Sequence, residues 1–124
     1  MKIILAIGAG SFIGGISRYL LSVFIQNKVN SGFPFGTLTV NITGCFLIGL
    51  LYGISEKGTV NTNLRLFLAT GILGGFTTFS AFSMETVNMI KAGHLSTAFT
   101  YTLLSVLLGF GATLAGFYLI KFLN

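Results

Sequence analysis

Apolar positions fill four long stretches of the chain, Ile3–Ile25, Phe35–Ile54, Leu64–Ile90 and Leu95–Phe122. Each is near or above the roughly 20 residues that cross about 30 Å of hydrocarbon. The pattern predicts an all-α membrane protein with four transmembrane helices, forming a single domain over residues 1–124. The connectors Gln26–Pro34, Ser55–Asn63 and Lys91–His94 hold the only proline and four of the nine charges, and leave no room for a soluble domain. The opening Met1-Lys2 and apolar run imitate a signal peptide, but the run continues past Arg18 to Ile25, which makes it a retained span.

The third stretch is too long for one straight span, and Gly74-Gly75-Phe76-Thr77-Thr78-Phe79-Ser80 interrupts it about ten residues in. In hydrocarbon an unpaired N–H or C=O costs several kcal/mol, so irregular backbone survives there only when buried in protein or lining a polar path. Two half-helices joined by a break near the middle fit this segment, a design that presents helix ends to ions. Close helix packing is the alternative, since Gly71 with Gly75, Gly10 with Gly14 and Gly49 with Gly53 are small-xxx-small pairs.

Composition agrees with the pattern: 53% of residues are hydrophobic and 7% charged, with a mean hydropathy of +0.92. The net charge is +5, but the charges are scattered singly, which argues against nucleic-acid binding. With four spans, Lys2, Lys57, Arg65 and Lys121 collect on one side, against Lys28, Lys91 and Arg18 on the other. So small a bias leaves two readings open: one extra positive charge fixes the topology, or copies insert both ways and pair as antiparallel dimers. The single cysteine, Cys45, excludes an internal disulfide.

Candidate chemistry is polar residues inside apolar runs. Asn41 shares a helical face with Thr37 and Gly44, and its amide needs either a partner helix or a water-filled cavity. Phe79 and Phe82 are three apart on one face; packing explains them, as does presentation of positive ring edges to an anion. Arg18 either snorkels to the interface or concentrates anions in a vestibule. Glu85 one turn beyond Phe82 is an interfacial acid, a mouth residue or a cation or proton site. Tyr101 and Ser105 share a stripe with Gly109 and Thr113, serving either a hydrogen-bonding track or interhelical bonds. One histidine and one cysteine cannot build a metal site, and no catalytic triad or carboxylate pair is available, so an enzyme is not expected.

Three motifs together, Gly14-Gly15-x-x-Arg18-Tyr19, Gly36-Thr37-x-x-Val40-Asn41-x-x-Gly44 and Gly74-Gly75-x-Thr77-Thr78-Phe79-Ser80-x-Phe82-Ser83-x-Glu85, resemble the Fluc-type (CrcB) fluoride channels over the whole chain. The resemblance implies a dual-topology antiparallel homodimer in the bacterial inner membrane, with fluoride pathways at its interface that export fluoride passively. It implies pathway roles for Asn41, Phe79, Phe82, Ser80, Ser83, Thr37, Tyr101 and Ser105, and a vestibule role for Arg18. It also implies a structural sodium ion at the dimer centre, held by backbone carbonyls matched to Gly74 and Thr77. The family's polar track leads one to expect a further hydroxyl where this chain has Gly109, so the track is shortened or completed by Thr113. The alternatives are a small dual-topology multidrug transporter, which calls for a membrane acid that the first span lacks, and a non-transporting membrane scaffold.

Overall fold

The computed structural model describes residues 1–123. Four helical spans are long and apolar enough to cross a membrane, which makes the chain a multi-pass membrane protein. The first, α1 (Lys2–Val29), runs four residues beyond its apolar stretch. Lys28 suits the negative end of the helix dipole there. Asn30 stops the helix in a left-handed conformation (φ 45°), donating its N–H to the Gln26 carbonyl at 3.0 Å. Helix α2 (Phe35–Ser55) starts after Pro34, which has no N–H to lose.

The third span, Thr62–Lys91, is built from several pieces. Asn61 caps α3 (Thr62–Leu66) by accepting the Leu64 N–H at 2.9 Å. A wider π-helical segment, Phe67–Leu73, follows and leads into the single turn α4 (Gly74–Phe76). Thr77 (φ −85°, ψ 156°) and Thr78 (φ −148°, ψ 115°) are then extended before α5 (Phe79–Lys91) resumes. The span bends by 20°. Helix α6 (Leu95–Phe122) completes the chain.

Two seams hold these spans together: α2 lies along α6, and α1 along the π segment and α4. In the first seam, a Cβ on Gly116 would strike the Phe46 carbonyl and stand 2.9 Å from the Leu50 nitrogen. In the second, one on Gly75 would stand 2.5 Å from the Ser11 carbonyl oxygen. Small residues thus allow backbones to touch, which replaces the hydrophobic driving force that lipid cannot supply. The packing explanation of the Gly71 and Gly75 pair therefore holds alongside the two extended residues that follow it.

Candidate functional site

The two extended residues create a bonding problem that α2 answers. In a continuous helix, each N–H serves the carbonyl four residues earlier. Here the Thr78 N–H instead donates to Asn41 Oδ1 at 2.8 Å, while Asn41 Nδ2 donates to the Thr78 carbonyl at 2.9 Å. One side-chain amide thereby satisfies both backbone groups of the same residue. The Ala81 N–H is likewise diverted, donating to Thr78 Oγ1 at 3.1 Å as the cap of α5. The carbonyls whose α-helical donors are taken in this way belong to Gly74 and Thr77. Thr77 turns its own hydroxyl back to the Leu73 carbonyl at 3.0 Å.

A cavity of about 440 Å³ opens beside this interruption. Asn41, Gly74, Thr77 and Thr78 supply its polar backbone and amide groups, Phe79 and Phe82 its aromatic wall, and Ser105 of α6 a hydroxyl. The two rings lie 5.6 Å apart at 47°. Phe82 is half-buried against Tyr101 (5.1 Å between centroids), whereas Phe79 is 79% exposed. Cys45 also lines this space, and its Sγ stands 3.5 Å from where a Cβ on Gly109 would lie, so position 109 offers no side-chain hydroxyl where a further one was expected. Thr113 is not among the residues lining this cavity, and its hydroxyl donates to the Gly109 carbonyl at 3.1 Å.

A second cavity, about 510 Å³, lies on the other side of Thr78 and is charged. Arg18 and Ser22 of α1, Thr37 of α2, and Ser80 and Glu85 of α5 line it. Glu85 is the hub: Thr37 donates to Oε1 at 2.6 Å, and the fully buried Tyr101 donates to Oε2 at 2.7 Å. Hydrogen bonds to a charged acceptor are short and strong, so these two hydroxyls fix the carboxylate and are fixed by it. Ser80 pairs with Thr78 across 3.3 Å between hydroxyl oxygens.

The predicted residues therefore fall in two groups joined at Thr78. Asn41, Phe79, Phe82 and Ser105 share the first cavity with Gly74 and Thr77; Arg18, Thr37 and Ser80 share the second. Tyr101 stands behind both, touching Phe82 and Glu85, while Ser83 lines neither. Sequence reasoning missed the grip of Asn41 on the Thr78 backbone and the convergence of Thr37 and Tyr101 on Glu85. The available signal for the second was that Glu85 is the only acid within the apolar stretches.

Residues 5–117 match the family model described as CrcB-like protein, Camphor Resistance (CrcB). The chain belongs to the CrcB family. Among its relatives, a protein of Flavobacterium psychrophilum named fluoride-specific ion channel FluC is 44% identical over 122 residues, covering 98% of each chain. Proteins of the same name from Leptospira interrogans (45% identical, covering 97% of this chain and 95% of the relative) and Phocaeicola vulgatus (41%, covering 96% and 98%) match nearly end to end. Both cavities of this CrcB protein lie wholly inside the matched residues.

Proposed function

We propose that this CrcB protein is a passive fluoride channel of the bacterial inner membrane that works as an antiparallel homodimer and exports fluoride from the cytoplasm. The bonding at Thr78 carries this reading: one interruption creates a polar face beside two aromatic rings at the interior of an apolar span. The names and high identity of the relatives support fluoride as the ion. A fluoride entering from the Arg18 side is attracted by that guanidinium, then trades water for hydroxyls and amide protons along Ser80, Asn41 and Ser105, residues that line the two cavities joined at Thr78. Thr37 and Tyr101 already donate hydrogen bonds to Glu85, so the anion competes with that carboxyl group for them. The positive edges of Phe79 and Phe82 add weak attraction, and weak binding at several sites lets an ion leave as readily as it enters.

The same bonding supports a structural sodium ion between protomers. The Gly74 and Thr77 carbonyls have lost their α-helical donors and both residues line one cavity, a hard oxygen donor set suited to a monovalent cation. When bound, that ion supplies a fixed positive charge that favours nearby anions. Reconstitution in fluoride-loaded liposomes tests the function. A potassium ionophore is expected to trigger rapid fluoride efflux that is independent of a proton gradient and much faster than chloride efflux. Absence of flux would leave a scaffold, and proton-coupled efflux of a cationic drug would establish a multidrug exporter.

A further inference from the structure

Gln26, on the last turn of α1, is half-buried and makes three hydrogen bonds into the first connector. Its Nε2 donates to the carbonyls of Ser31 (2.7 Å) and Phe33 (3.1 Å), and its Oε1 accepts the Gly36 N–H at 3.1 Å. The amide thus spans both sides of Pro34 and fixes the entry to α2. Phe33, between those bonds, meets Tyr101 edge-on, with centroids 5.4 Å apart and planes at 81°. Tyr101 is in turn gripped by Phe82 on its ring and Glu85 on its hydroxyl. Half-buried rings packed on both sides leave the fully buried Tyr101 ring few alternative positions. We infer that Gln26 is a positioning residue for ion conduction, holding Phe33 against Tyr101 so that the Tyr101 hydroxyl stays on Glu85.

This inference rests on the channel reading for its functional consequence, but its structural half is separately measurable. Gln26→Met keeps the side-chain length and removes all three hydrogen bonds. With isotope-labelled tyrosine, the Tyr101 hydroxyl-carbon resonance is identified by its loss in Tyr101→Phe. In Gln26→Met that resonance is expected to move, and fluoride flux per dimer to fall roughly two- to tenfold, the range given by one net hydrogen bond. In the Tyr101→Phe background Gln26→Met is expected to add no further loss. If Gln26→Met does not assemble, Gln26→Glu retains the acceptor for Gly36, loses both donors to the connector carbonyls, and carries the same expectation. An unmoved Tyr101 resonance, or losses that multiply in the double variant, would overturn the inference. Absence of fluoride flux in the unaltered protein would remove the channel reading, while the resonance would still decide whether Gln26 positions Tyr101.

Discussion

At the scale of single residues, the third span depends on side chains that stand in for helix hydrogen bonds. Asn41→Leu strands the N–H and C=O of Thr78, and each stranded buried group costs about 1–3 kcal/mol. Thermal unfolding in detergent is expected to show that loss, with Asn41→Asp retaining part of the stability because one oxygen still accepts the Thr78 N–H. Equal melting temperatures for Asn41→Leu and the unaltered chain would refute this account. Glu85 gives a second case. Thr37→Val and Tyr101→Phe each remove one donor from the carboxylate, a charge-assisted bond worth roughly 1.5–3 kcal/mol. The two losses are expected to be non-additive, because the same carboxylate feels both, and a double-mutant cycle of unfolding free energies measures the coupling.

At the scale of elements, what was legible in the sequence was whatever has a local signature. Four spans follow from apolar length, and the glycines beside paired threonines, residues that weaken a helix and offer their own hydroxyls as substitutes, stand where the bent third span has two extended residues, Thr77 and Thr78. The π segment Phe67–Leu73 was not legible, since its residues are ordinary for an apolar helix. Nor were the bonds from Asn41 to Thr78 and from Thr37 to Glu85, which join positions 37 and 48 residues apart through packing alone. Glycine spacing forecast seams without naming partners, and the partners decide the consequences of substitution. Gly116→Ala forces backbone against backbone between α6 and α2, and is expected to destabilise by roughly 1–3 kcal/mol or more. Gly111→Ala on the same helix meets nothing within 4 Å and is expected to be neutral or to stabilise by up to about 1 kcal/mol. Chemical unfolding of the two variants separates a packing seam from mere glycine content.

At the scale of the whole molecule, a lone copy leaves Phe79 mostly exposed beside the cavity that holds Asn41, Thr78 and Ser105. Lipid chains offer those polar groups nothing, whereas a second copy offers protein on the same face. In the antiparallel dimer proposed above, a charge count of four against three would set little preference for either insertion, so each copy would be available to pair with its inverse. Conduction would then depend on charges far from the pathway. Lysines at Glu56 and Asn63, both exposed at one end, are expected to lock one orientation; lysines at Asn27 and Ser96, exposed at the other end, are expected to lock the opposite one. Either variant alone is expected to lose at least most of its fluoride flux while folding normally, because no inverted partner exists. Expressing both together is expected to restore it. Full flux from one variant whose termini are shown by labelling to face a single side would rule out antiparallel assembly and place the pathway within parallel copies or a single chain.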